Sequence, residues 1–166
     1  VEPTTDDIKQ KYNTFSGYVG LENLSEDALV KYNGDLGIRN TQNFFDASET
    51  SFSLIGDASY EIDEASKVVL DLDVDLMKYE DVAFSQSRNF LSFAPKYTRG
   101  NEIISYEVGI KLDYENDTVN ESSDVHIYPT AEIKYSLTDL GLDLYAGVTG
   151  GMEKVSFHNT YKENPY

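Results

Sequence analysis

Eight stretches of the chain alternate apolar and polar residues with a period of two. That period puts every second side chain on the same side of a pleated strand, so each stretch has one apolar and one polar face. The cleanest stretch begins at Ile104: Ile104, Tyr106, Val108, Ile110, Leu112 and Tyr114 share one face, while Ser105, Glu107, Gly109, Lys111 and Asp113 share the other. Six apolar positions in succession is long for a strand of a water-soluble domain. Ten residue steps of about 3.4 Å, tilted by about 40°, climb roughly 26 Å, close to the height of the apolar band on an outer-membrane barrel, about 25 Å.

The other stretches repeat the pattern. Strands are expected at residues 12–23 (Phe15, Gly17, Val19, Leu21 on one face), 28–40 (Val30, Tyr32, Leu36, Ile38) and 51–63 (Phe52, Leu54, Ala58, Tyr60, Ile62). They continue at 66–80 (Val68, Leu70, Leu72, Val74, Leu76), 88–99 (Leu91, Phe93, Pro95, Tyr97), 124–137 (Ile127, Pro129, Ala131, Ile133, Tyr135) and 140–152 (Leu140, Leu142, Leu144, Ala146, Val148). The last is expected to extend through Val155 and Phe157. Pro95, in mid-strand, lacks a ladder donor and predicts a bulge or a local break, whereas Pro129 lies near a strand start.

Connections at 24–27, 64–65, 100–101 and 138–139 read as tight hairpins, and those at 41–50, 81–87 and 116–123 as longer polar loops. Short turns at one end and long loops at the other is the arrangement of bacterial outer-membrane barrels, with the short ends periplasmic. By this count residues 1–11 and the tail from His158 both lie on the long-loop side. They predict one β-barrel region over residues 1–166, an interior slice of a longer barrel that does not close on itself. Its missing strands would come from the rest of the same or a longer polypeptide.

Charge narrows the partners. A formal net charge of −17 leaves no positive field for nucleic acid and opposes adsorption to an anionic membrane surface. With no Cys, disulfide frameworks and thiolate metal sites are excluded. No run of about 18 apolar residues exists, so crossing a bilayer would require strands closed into a barrel. The sequence opens at Val1 without a secretory signal, which implies a removed leader or a start partway through a longer protein. Thirteen Tyr, eight Phe and no Trp make the chain aromatic in a way that suits a membrane interface, where a ring wants lipid and a hydroxyl wants water.

Against that background, His126 to Tyr166 (HIYPTAEIKYSLTDLGLDLYAGVTGGMEKVSFHNTYKENPY) resembles a segment of large outer-membrane β-barrels of Bacteroidota, of the TonB-dependent-receptor-like kind. The resemblance rests on the IYP strand start, the turn at Thr138-Asp139-Leu140, the YAGVTGG strand and the ENP loop. It implies an outer-membrane location, a role in transport or pore formation, and the TonB machinery as partner. No plug domain and no TonB box are visible, so no plug function attaches to any residue.

Nothing reads as an active site, and no enzymatic role, catalytic residue, metal site or cofactor is expected. Asp71-x-Asp73-x-Asp75 opens like a calcium loop, but an EF-hand needs Gly at its sixth position and Glu at its twelfth, where Leu76 and Val82 stand. The run reads instead as carboxylates facing water from one side of a strand, with loosely held Ca²⁺ or basic partners from neighbouring strands as the other options. His126 and His158, 32 residues apart, have no metal-pair spacing and suit surface or loop packing. Gly147-Val148-Thr149-Gly150-Gly151 lacks the Lys-Ser/Thr and helix of a phosphate loop.

The leading expectation is therefore an all-β, antiparallel up-and-down meander of about eight strands, a transmembrane β-barrel or a segment of one. Leu70, Leu72, Val74, Val108, Ile110, Leu112, Ile133, Leu142 and Leu144 would face outer-membrane lipid. Asp71, Asp73, Asp75, Glu107, Lys111, Glu132 and Lys134 would point inward. Alternation alone equally fits a soluble eight-stranded barrel with its apolar stripes turned in around a small hydrophobic ligand. An acidic surface β-sandwich, such as an adhesin, would need Greek-key connections, which the spacing does not show.

Overall fold

The computed structural model describes residues 11–25, 27–117, 122–137 and 141–152, together with 154, 156 and 158. Its elements are eight strands in one sheet: β1 (Tyr12–Glu22), β2 (Val30–Asn43), β3 (Ser48–Asp63), β4 (Ser66–Glu80), β5 (Ser85–Gly100), β6 (Ile104–Asp117), β7 (Ser122–Leu137) and β8 (Leu142–Val148). Sheet order equals chain order, and every neighbouring pair is antiparallel. The fold is the all-β up-and-down meander that the period of two dictates. It is open: β1 and β8 are its edges and do not pair with each other.

Register keeps the two faces separate. Val19 lies opposite Leu36, Leu36 opposite Leu54, Leu54 opposite Val74 and Val74 opposite Leu91. Beyond them Phe93 faces Leu112, and Leu112 faces Ile127. Because side chains alternate, a single one-residue slip would send an apolar stripe to the polar side. The one register shift, between Glu61 and Asp63, sits at the β3–β4 hairpin. The apolar stripes thus join into one continuous surface.

Two expectations fail here. The expected contrast between short and long connections disappears, because the strands run into the segments taken for loops. The connections 44–47, 81–84 and 118–121 are no longer than 23–29, at the opposite end. Polar residues such as Gln42, Thr50 and Ser87 pair within the ladder, since backbone bonding is indifferent to side-chain polarity and strands stop only where the chain must turn. The second failure is β8. It ends at Val148 rather than running to 152 and beyond, and the chain then leaves the sheet; Leu140, Val155 and Phe157 lie outside the described residues.

Pro95 behaves as a local break without a bulge. Between β5 and β6 the ladder lapses at Ala94 and Pro95, yet Phe93–Leu112 and Lys96–Gly109 flank the gap in one register. Gly109 has its place there for a steric reason: a Cβ on it would collide with the Pro95 carbonyl oxygen. Gly109→Val is expected to destabilise the fold by about 1–3 kcal/mol through that overpacking, read as a lower urea midpoint.

The β4–β5 loop is held by one carboxylate. Asp81 Oδ1 accepts from the backbone N–H of Ala83 (2.7 Å) and Phe84 (2.9 Å), and the Tyr79 hydroxyl donates to Oδ2 at 3.1 Å. The Phe84 and then the Ala83 N–H hold this carboxyl below its ordinary 3.8. Its contribution to the loop is therefore full above pH 3.8 and lost as pH falls through the lower folded value. Amide exchange at Ala83 and Phe84 should accelerate across that acid range after correction for intrinsic rates, and Asp81→Asn should abolish the acid step.

Candidate functional site

The two faces of the sheet differ in chemistry and shape. On the apolar face the only charged strand residues among those described are Asp63, Lys78, Glu80 and Arg99, each within two residues of a strand end. Lys78 and Glu80 neutralise each other at 2.6 Å. All nine residues expected on a lipid-facing wall lie on this face. Leu70, Val108, Ile110, Ile133, Leu142 and Leu144 are exposed, the last at 51%, while Leu72, Val74 and Leu112 are half-buried. None is sealed into an interior. The buried apolar residues among those described are Ala47, Met77, Phe90 and Ala94, and the three in strands point to the opposite face.

Five of the six strand tyrosines on the apolar face are ordered; the sixth, Tyr114, lies toward the other end of β6. Tyr32 defines a row running through Ala58, Leu70 and Pro95 to Ile110 and Pro129. Relative to that row, the next tyrosines step progressively toward the hairpin end. Tyr60 lies two residues beyond Ala58, Tyr97 two beyond Pro95, Tyr106 four beyond Ile110, and Tyr135 six beyond Pro129. Tyr135 is thus about 20 Å along the strand and, five strands away, about 24 Å across, so the tyrosine line makes about 40° with the row. Strands in transmembrane barrels tilt by roughly 35–45° from the axis. A line level with the membrane plane would cross these strands at that slope.

The opposite face is charged and concave. A cavity of about 710 Å³ is lined from six successive strands, with Asp57 of β3, Asp71 of β4, Lys96 of β5, Glu107 and Lys111 of β6, Glu132 of β7 and Gly147 of β8 among its walls. In a flat sheet β3 and β8 would stand about 24 Å apart, so the sheet curls toward its charged side. The charges form a diagonal cross-strand net. Lys96 Nζ reaches Asp71 at 2.7 Å and Glu107 at 3.5 Å; Lys134 meets Asp143 at 2.8 Å, and Lys31 meets Glu61 at 3.0 Å. Asn33 donates to Asp57.

The Asp71/Asp73/Asp75 run therefore faces the cavity side and takes lysine partners, the third of the options its sequence left open. Among the described residues no group of three or more metal-ligating side chains is placed to hold an ion. Glu107, Lys111, Glu132 and Lys134 share this face.

Sequence reasoning missed what lies across the concavity. After Val148 the chain turns over the charged face. A Cβ on Gly150 would stand 2.7 Å from the Tyr128 ring, so this turn needs a residue without a side chain. The Met152 N–H donates to Asp113 Oδ2 at 2.9 Å, and that carboxylate, fully buried on β6, also has Lys111 Nζ at 3.5 Å. Lys154 Nζ lies 2.7 Å from Asp73 and 4.7 Å from the centre of the Phe90 ring. His158 Nδ1 is 3.2 Å from the Oγ1 of Thr41, which is fully buried, and the backbone N–H of His158 donates to Glu49 Oε1 at 3.4 Å.

Of the surface and packing roles open to the two histidines, His158 is buried against β2 and β3, while His126 stays exposed on β7 and stacks on Tyr128. The one local signal was Gly150-Gly151, since paired glycines end a strand; where the chain goes next was not readable.

Comparison with protein-family profiles, curated proteins and solved structures gives no match to this chain. The functional reading therefore rests on the two faces. Coupling between Lys154 and Asp73, which are about a quarter and a third exposed, should amount to about 1 kcal/mol in a double-mutant cycle of Lys154→Ala and Asp73→Ala. Additive unfolding midpoints would mean that the crossing segment is not held at this point.

Proposed function

We propose that this chain is wall of an outer-membrane β-barrel that serves transport or pore formation, with its apolar face against lipid and its charged, concave face toward an aqueous lumen. The tyrosine line carries the reading. Five tyrosines on five strands fall on a slope of about 40°, the slope at which a membrane plane crosses tilted barrel strands, and nothing in a soluble sheet asks for that alignment. The height agrees: from Tyr106 to the first polar residue of the same face, Asn116, is ten residue steps, roughly 26 Å at that tilt.

In this reading the free backbone groups of β1 and β8 must be covered, because an unpaired edge in hydrocarbon costs several kcal/mol per group. Further strands of the same or a longer polypeptide would supply the partners, giving a barrel wider than eight strands. The resemblance of residues 126–166 to TonB-dependent-receptor-like barrels of Bacteroidota supports a transporter over a simple porin, with the TonB machinery engaged outside the described strands. The soluble-barrel alternative needs an apolar interior for its ligand; the cavity has carboxylates and lysines for walls.

A charge on the apolar face separates these readings. Leu72→Arg, near mid-band, is expected to cost about 2–4 kcal/mol of folding free energy in lipid vesicles. Glu132→Gln, exposed on the charged face, should stay within about 0.5 kcal/mol. A Leu72→Arg midpoint equal to that of the parent chain in vesicles would count against a lipid-facing wall.

A further inference from the structure

Arg99 is the one basic residue of the tyrosine line. On β5 the line passes between Tyr97 and Gly100, and Arg99 stands four residues beyond Pro95, just as Tyr106 on the adjacent strand stands four beyond Ile110. It lies opposite Tyr106 in the ladder. The Tyr97 and Tyr106 rings approach to 6.4 Å between centroids. The Arg99 side chain is exposed on the same face as both rings, two residues along β5 from Tyr97.

Two features mark it off from the other charges of that face. Lys78 and Glu80 satisfy each other at the opposite end. Among the described residues Arg99 forms no direct ion pair, and Asp63, its closest counter-charge in kind, already accepts from the Ala65 N–H at 2.9 Å. A guanidinium keeps its charge at any physiological pH and presents several N–H donors in one plane, a match for the oxygens of a phosphate diester. Flanking tyrosine hydroxyls at the same level can donate to such oxygens, and their rings can lie against the first acyl carbons.

We propose that Arg99, with Tyr97 and Tyr106, forms a binding site for the phosphate of a glycerophospholipid headgroup in the leaflet at the hairpin end of the wall. The proposal rests on the membrane reading and deepens it, since it fixes the depth at which the barrel sits: Arg99 at the phosphate plane, Leu72 and Val108 beneath it in hydrocarbon. The ligand is a lipid rather than free phosphate because the site opens onto the apolar band, whose described strand residues carry no charge between the two strand ends. Inorganic phosphate would have to shed water there without gaining acyl contacts.

The test uses the intact polypeptide that carries this wall, with the strands that cover β1 and β8, folded into phosphatidylcholine vesicles and then extracted into mild detergent; this polypeptide is the parent chain. Flotation with the vesicles reports membrane insertion. Native mass spectrometry reports lipid retention, with dioleoylphosphatidylglycerol as probe and dioleoylglycerol, which has the same acyl chains and no phosphate, as control. The parent chain should retain phosphatidylglycerol, and Arg99→Gln should retain at least tenfold less while floating normally. Dioleoylglycerol retention should be equal in both.

Equal phosphatidylglycerol retention by Arg99→Gln would overturn the site while leaving the membrane reading intact. Displacement of the lipid by millimolar inorganic phosphate would overturn the lipid assignment. Failure of the parent chain to float would overturn the membrane reading and the site together. Should Arg99→Gln fail to fold, Tyr97→Phe, which removes one hydroxyl, carries the same measurement with an expected loss of about threefold, and unchanged retention there overturns the site.

Discussion

Everything in this structure depends on the backbone ladder holding one register across eight strands. Side chains alternate with a period of two, so register alone decides which residues share a face. From β1 to β8 the pairing advances without a slip except at the β3–β4 hairpin, where the chain has already left the band. Seven ladders in phase make one apolar surface and one charged surface out of eight amphipathic ribbons. Side-chain packing contributes little to that outcome, for hardly any apolar residue of a strand is buried.

The charged face is an answer to the concavity that the same ladder creates. Curling a sheet crowds the side chains on its inner side, and crowding takes water away from carboxylates such as Asp113. A buried charge is tolerated only with partners, and the net of Lys96, Lys111, Lys134 and Lys154 supplies them. Among the described strand residues of that face carboxylates outnumber basic side chains, so the concave face keeps a negative bias after pairing. Cations and neutral polar solutes suit such a surface better than anions do.

How much of this was legible in sequence follows from which forces are local. Strand identity, strand order and the composition of each face were readable, because alternation and tight turns are short-range signals; β4 was placed at 66–80, the bounds the structure shows. Loop lengths were not, since Gln42, Thr50 and Ser87 look like loop residues while their backbones pair freely. The segment over the concavity was hidden for a different reason. Its contacts, Lys154 with Asp73 and His158 with Thr41, join residues 81 and 117 positions apart, and no periodicity announces a pairing at such range. The tyrosine line was half visible: the residues stood out as interface formers, but their common slope exists only once register ties five strands together.

The segment that crosses the concave face, touching β6 at Asp113, β4 at Asp73 and β2 at Thr41, acts mechanically as a chord across an arc. Hydrogen-bonded strands can hinge about their ladders, so an open sheet has no single radius of its own. Pinning the arc at several points with one short chain restricts how far the wall can flatten, because flattening separates the pinned strands faster than the chain can lengthen. The curvature of this sheet is therefore set in part from its concave side and not by the strand ladder alone.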